Sequence, residues 1–149
     1  MPTPILVSAC LLGLPTRYDG GHKSADHVLQ HLRKNRLQAV PVCPEQLAGL
    51  PTPRPPCWFD AGDGDTVLEG SGRLVRADGT GMNASFIKGA QVTLAVAHLT
   101  GCRIALFKEG SPSCGVHRVY RQQRNVSGRG VATALLTRHG LQVYGEDDI

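Results

Sequence analysis

A chain of 149 residues with 41% hydrophobic and 19% charged side chains has the size of one compact domain and enough apolar content to bury a core, which excludes a disordered tail. Its most apolar long stretch, Phe86 to Leu99, is broken by Lys88, Gln91, Thr93 and His98 and falls short of the roughly 20 residues a bilayer crossing needs. The formal net charge of +4 with 5% aromatic residues suits a small anionic ligand better than a duplex and argues against a DNA-binding role.

Met1-Pro2-Thr3-Pro4 runs directly into the apolar Ile5-Leu6-Val7 without the pattern of a secretory signal, so a cytoplasmic location and no membrane partner are expected. Ile5-Leu6-Val7, followed by Ser8-Ala9-Cys10, reads as a buried strand ending at a functional turn. After a Gly/Pro-punctuated segment, Gly13 to Gly21, either Ser24 or Asp26 is expected to cap a helix. Its inner face carries Val28, Leu29 and Leu32, and Arg33, Lys34 and Arg36 lie near its C-terminal end. Leu37 to Val42 is a second strand, which Pro41 places at an edge or a strand end, and Cys43-Pro44-Glu45 opens a proline-rich loop reaching Pro56.

The Gly/Asp-rich stretch from Gly62 to Gly81 reads as an excursion, with Thr66-Val67-Leu68 and Arg73 to Arg76 as hairpin-like pieces. Asn83 or Ser85 is expected to cap an apolar helix through Leu99, closed by Gly101, and Arg103 to Phe107 is another buried strand ending at Lys108. A last helix covers Gly130 to Leu136, with Arg138, His139 and Gly140 at its stop, and a final strand runs from Leu141 to Tyr144. Strands alternating with helices predict a single α/β domain over residues 1–149: a Rossmann-like three-layer fold, an open, mostly parallel sheet with helices on both faces.

Five cysteines, an odd number without an export signal, favour thiols or thiolate ligands over disulfides. Cys10, Cys43 and Cys114 each follow a predicted strand, at the sheet edge where open parallel sheets bind ligands. Cys102 precedes a strand and reads as structural, whereas Cys57, between Pro56 and Trp58, is ambiguous. Three thiolates without a fourth protein ligand leave a coordination position for substrate. Structural zinc prefers four ligands and paired Cys-x-x-Cys spacings, which the sequence lacks. An iron-sulfur cluster on three cysteines exposes one iron. Spacing alone goes no further than a metal or thiol site.

Several ordered motifs sharpen this. Ser8-Ala9-Cys10-Leu11-Leu12-Gly13, Arg17-Tyr18-Asp19-Gly20-Gly21, Pro41-Val42-Cys43-Pro44-Glu45-Gln46-Leu47, Gly49-Leu50-Pro51-Thr52-Pro53-Arg54 and Lys108-Glu109-x-Ser111-Pro112-Ser113-Cys114-Gly115 resemble the thiouracil desulfurase (TudS) family from residue 5 to the final strand. The resemblance implies a [4Fe-4S] cluster on Cys10, Cys43 and Cys114, whose open iron takes the sulfur of a thiolated uracil while water replaces it on the ring. It also implies a hydrolytic, non-redox desulfidase releasing uracil and hydrogen sulfide. Glu45, two residues after a ligand and beside an apolar proline-rich wall, is expected to carry the proton work, with its pKa raised toward working pH. Ser111 is assigned a catalytic role by resemblance.

Ser8 and Ser113 are candidates to hydrogen-bond the substrate, and Lys108 and Arg54 to hold an anion. After Cys114 the chain departs from the family pattern. Many members continue with an Ile-Tyr-Asp-Gly-Thr-Phe-like segment, where this sequence reads Val116-His117-Arg118-Val119-Tyr120-Arg121-Gln122-Gln123-Arg124-Asn125. Arg118, Arg121, Arg124 and Arg129 cluster here, so Arg118 and Arg121 are candidate phosphate holders for a thiolated nucleotide such as 4-thiouridine monophosphate. The scarcity of aromatics argues against intact tRNA as a partner. The competing reading is a non-catalytic regulatory domain binding zinc or a nucleotide. A redox thiol protein is a third, without a Cys-x-x-Cys to support it.

Overall fold

The computed structural model describes residues 1–122 and 124–149; Gln123, within the divergent segment, lies outside them. The chain builds β1 (Thr3–Ser8), a 3-10 turn (Ala9–Leu12), α1 (Asp26–Lys34), β2 (Leu37–Val42), α2 (Pro44–Leu47), β3 (Cys57–Ala61), α3 (Gly64–Glu69) and β4 (Arg73–Arg76). There follow α4 (Asn83–Thr100), β5 (Ile104–Phe107), β6 (Arg118–Arg121), β7 (Arg124–Ser127), α5 (Val131–Arg138), β8 (Gln142–Gly145) and a final 3-10 turn (Glu146–Asp148). β2, β1, β5 and β8 form a parallel sheet in that order.

β1 sits inside this sheet and is covered on both faces. Ile5 and Val7 pack with Val28 and Leu32 of α1, whereas Leu6, one residue out of phase, packs with the cluster containing Phe86, Ala90 and Leu136 of α4 and α5. That alternation explains why the strand reads as a continuous apolar run and gives the expected three layers. Each such side chain contributes about 1.5–3 kcal/mol by leaving water. Pro41 is on the edge strand β2, opposite Val7.

A second, mixed sheet in the order β4, β3, β6, β7 was not expected from the sequence. β3 arises at the end of the proline-rich segment and pairs antiparallel with β4 and parallel with β6, which pairs antiparallel with β7. Thr66-Val67-Leu68 belongs to helix α3 rather than a hairpin, because Asp63 caps it. Thr66 N–H donates to Asp63 Oδ1 at 3.3 Å, and Asp63 N–H donates to Thr66 Oγ1 at 2.9 Å.

Two caps also differ from expectation. Asp26 is the first residue of α1, after Ala25 at the cap position, where its charge complements the dipole. Asn83 opens α4 but ties it sideways to β4, accepting from Leu74 N–H at 2.7 Å and donating to Gly72 O at 3.0 Å. Gly101, at φ +72°, ends α4 as expected.

α4 meets the short α2 helix through Gly89, where an added Cβ would collide with the Pro44 carbonyl oxygen and approach Ala48 Cβ to 3.2 Å. Gly89→Ala should therefore destabilise the protein by about 1–3 kcal/mol, although Ala is better than Gly by about 1 kcal/mol in an unobstructed helix. Thermal denaturation should show the melting temperature falling, not rising.

Candidate active site

Three sequence-distant cysteines meet at the C-terminal edge of the parallel sheet. Cys10 lies in the 3-10 turn after β1, and its carbonyl accepts from Gly13 N–H at 3.3 Å and Lys23 N–H at 2.9 Å. Cys43 follows β2 immediately and caps α2, with its carbonyl accepting from Leu47 N–H at 2.9 Å. Cys114 lies in the loop after β5. Ser111 Oγ accepts from both Ser113 N–H and Cys114 N–H at 3.1 Å, and Thr133 Oγ1 of α5 donates to the Cys114 carbonyl at 3.0 Å. All three line one cavity of about 400 Å³.

Cys57 at the start of β3 also borders this cavity. Cys102 lies at the other end of the sheet, just before β5, with its sulfur 3.1 Å from Thr100 Oγ1. All five cysteines are free thiols. Burial pushes the Cys10 thiol up to about 11, an effect that the nearby Lys108 charge opposes. Burial likewise raises Cys43, and raises Cys114 well above an ordinary thiol, where a Ser8 hydrogen bond pulls the other way. Such thiols stay protonated unless a metal's positive charge draws the protons off. Among the described residues, no three His, Cys, Asp or Glu side chains close tightly enough to enclose a single metal ion. The three sulfurs border a shared volume, and a set of thiol donors around one cavity fits an iron-sulfur group.

Glu45 and Arg54 line the cavity together. The expected apolar wall beside Glu45 is in fact this guanidinium, whose Nε donates to Glu45 Oε1 at 3.2 Å. Arg54 also donates to Thr52 Oγ1 at 2.9 Å, Thr16 O at 3.1 Å and Pro51 O at 3.3 Å, and its side chain is 5% exposed. With its donors engaged inside the protein, Arg54 positions Glu45 and the proline loop rather than reaching for a substrate anion.

Ser8 Oγ accepts from Lys108 N–H at 2.9 Å, so it lines the cavity while tying β1 to the end of β5. Lys108 Nζ donates to Glu109 O at 2.9 Å and Glu146 Oε1 at 3.0 Å. Ser113 departs from its expected role: it is buried and does not line the cavity, and its carbonyl anchors α5 through Ala132 N–H at 3.0 Å.

The arginine cluster is dispersed. Arg118 donates to Asp147 Oδ2 at 3.0 Å, Arg129 pairs with Asp65 at 2.7 Å, and neither these nor Arg121 and Arg124 line the cavity. Strand alternation is one cause, since Arg121 points to the face of β6 opposite Tyr120. Besides Arg54 and Lys108, the cations lining the cavity are Arg17 and Lys23, joined by Tyr18, Tyr120 and Asn125. Arg17 and Tyr18 open the Arg17-Tyr18-Asp19-Gly20-Gly21 motif, but nothing in their spacing assigns them a role.

Glu109, directly after Lys108, has a role that its place in the sequence does not reveal. Its carboxylate is fully buried, and Oε1 accepts from Val116 N–H at 2.8 Å, His117 N–H at 2.9 Å and Arg118 N–H at 3.2 Å. Its own N–H donates to Glu146 Oε2 at 2.8 Å.

A Rossmann-like α/β fold with a thiol-lined cleft at its strand ends is the architecture of a small-molecule enzyme or a metal-group carrier. The 2-thiouracil desulfurase family model matches residues 5–148, and the chain belongs to that family. It is 36% identical over 148 residues to the uncharacterized protein YbbK of Bacillus subtilis (strain 168), covering 97% of each chain. It is 42% identical to a solved structure described as the [4Fe-4S]-dependent thiouracil desulfidase TudS, with a TM-score of 0.81, covering 99% of this chain and 93% of the other.

Glu109→Ala should leave three backbone N–H groups without their acceptor and cost about 3 kcal/mol or more. Urea denaturation should show the loss, and Glu109→Gln, which keeps one acceptor oxygen, should lose less.

Proposed function

We propose that this protein is a [4Fe-4S]-dependent desulfidase that replaces the sulfur of a thiolated uracil with oxygen from water, releasing the uracil compound and hydrogen sulfide. The observation that carries the reading is that the free thiols Cys10, Cys43 and Cys114, from loops after three strands of the parallel sheet, line one cavity, in a chain 42% identical to a [4Fe-4S]-dependent thiouracil desulfidase. Cys10, Cys43 and Cys114 would hold the cluster. When bound, the cluster supplies a sulfur-loving, Lewis-acidic iron not ligated by cysteine.

The remaining work falls to the chain's own groups. Glu45, with Oε1 held by Arg54, takes a proton from the attacking water at Oε2 and passes it to the leaving sulfur, and the second proton follows the same way from the new hydroxyl as the carbonyl forms. Ser111 Oγ accepts two backbone N–H bonds, so its own proton is directed outward to the substrate's ring or to the water. Lys108, held by Glu146, sets positive charge beside Cys10, and Ser8 steadies Cys114. Water and thiocarbonyl enter, carbonyl and hydrogen sulfide leave, and no electrons are exchanged. Arg17 and Lys23, in place of the dispersed arginines, give the cavity cations suited to the phosphate of a thiolated nucleotide such as 4-thiouridine monophosphate. Among the described residues, no helix is long and apolar enough to cross a membrane.

Anaerobic purification should give a brown protein with about four irons per chain that releases sulfide from 2-thiouracil or 4-thiouridine monophosphate. Cys10→Ala, Cys43→Ala and Cys114→Ala should each lose iron, Cys102→Ala should keep it, and Glu45→Gln should stay brown but lose turnover. A colourless zinc protein, inactive after cluster reconstitution, would sink the reading. Replacing Arg17 and Lys23 together with Ala should raise KM for the nucleotide about tenfold or more while barely moving KM for the free base; equal effects on both would remove the phosphate role.

A further inference from the structure

One wall of the cavity has no role in the mechanism above. It is the β6–β7 hairpin, which contributes Tyr120 and Asn125. These residues stand directly opposite each other across the antiparallel ladder. The neighbouring cross-strand pair, Val119 with Val126, packs into the core. Side chains alternate along a strand, so Tyr120 and Asn125 share the other face, which borders the cavity. Gly110 docks the hairpin onto the cysteine edge: its N–H donates to Arg118 O at 3.1 Å, and it bridges to Val119. A Cβ at Gly110 would lie 3.2 Å from Asn125 Oδ1, so the absence of a side chain there lets the carboxamide sit against the loop leading to Cys114.

A uracil ring offers a flat π-face and an edge on which an N–H donor adjoins a carbonyl acceptor. A phenol ring provides a matching stacking face, and a carboxamide carries an acceptor and two donors in one plane. Among the described residues, Asn125 is the one carboxamide lining the cavity. Several polar side chains there are already engaged: Glu45 with Arg54, Lys108 with Glu146, and Ser111 with two backbone N–H groups.

We infer that Tyr120 and Asn125 are the base-reading wall of the site, Tyr120 packing on the pyrimidine face and Asn125 pairing with the ring N3–H and the carbonyl beside it. N3–H has a carbonyl neighbour whether the sulfur sits at position 2 or position 4, so one carboxamide serves both substrates and leaves the sulfur to the cysteine edge. The inference rests on the proposed desulfidase reading and deepens it, making the pair specificity-determining for the ring rather than for the sulfur. It also gives a function to the segment where the sequence departs from its family.

The test uses the cluster-loaded protein and two ligands: uracil, which has no sulfur, and 2-thiouracil. Asn125→Ala and Tyr120→Leu should each raise the dissociation constant for uracil about tenfold, and KM for 2-thiouracil in parallel, with a larger effect on KM than on kcat. Tyr120→Phe, which keeps the stacking face, should retain uracil affinity. Asn125→Asp, which keeps the size but removes the donor, should lose it. Iron content and melting temperature report that the variants are folded and loaded. Uracil affinity and KM within twofold of the parent in both Asn125→Ala and Tyr120→Leu would overturn the inference, as would a parent protein that does not bind uracil. A parent that binds uracil but desulfurates no thiolated uracil would overturn the desulfidase reading alone, and the variants' uracil affinities would still judge the hairpin.

Discussion

The constraint on which this molecule depends is the parallel register of β1 with β2 on one side and β5 on the other. Parallel neighbours end at the same edge of a sheet, so residues just past Ser8, Val42 and Phe107 arrive together however far apart they are in the chain. Cys10 and Cys43 are each within two residues of a strand end, and Cys114 hangs on the loop after β5. The strands are buried on both faces by α1 and by α4 with α5, which leaves the edge as the place where backbone and side chains can meet a ligand.

Holding that edge open takes polar groups that are satisfied inside the protein. Glu109 gathers the N–H groups of residues 116–118 onto one buried carboxylate, and Glu146 clamps Lys108 and the Glu109 N–H from the end of the chain. Arg54 does the same on the other side, binding Glu45 and two loop carbonyls. A buried charge is costly unless paired and hydrogen-bonded; here the pairing fixes both loops that carry chemistry. Charges that look available in the sequence are often already paired. Arg54, Arg118 and Arg129 all have carboxylate partners.

The mixed sheet completes the cavity from outside the Rossmann-like frame. It brings Cys57 from β3 and the Tyr120–Asn125 pair from the β6–β7 hairpin to the same rim. Its strands are short, four or five residues each, and lie among prolines, glycines and arginines. They carry little periodic signal, so of this sheet only Arg73–Arg76 was legible in the sequence, as a hairpin-like piece, whereas the apolar runs of the parallel sheet and of α4 were.

By itself, the sequence determined the alternation of buried strands with helices, the positions of Cys10, Cys43 and Cys114 at strand ends, and the motifs shared with the thiouracil desulfurase family. Those features are local or periodic: apolar runs, glycine stops, a residue's place relative to a strand. Only the tertiary structure decided which charges meet which. It turned Arg54 inward onto Glu45, buried Ser113 under α5, dispersed the arginines of the divergent segment, and put Arg17, Lys23, Tyr120 and Asn125 on the cavity wall. The reason is that a side chain's partner is set by packing between elements distant in sequence, and in a strand by which of two faces its register presents.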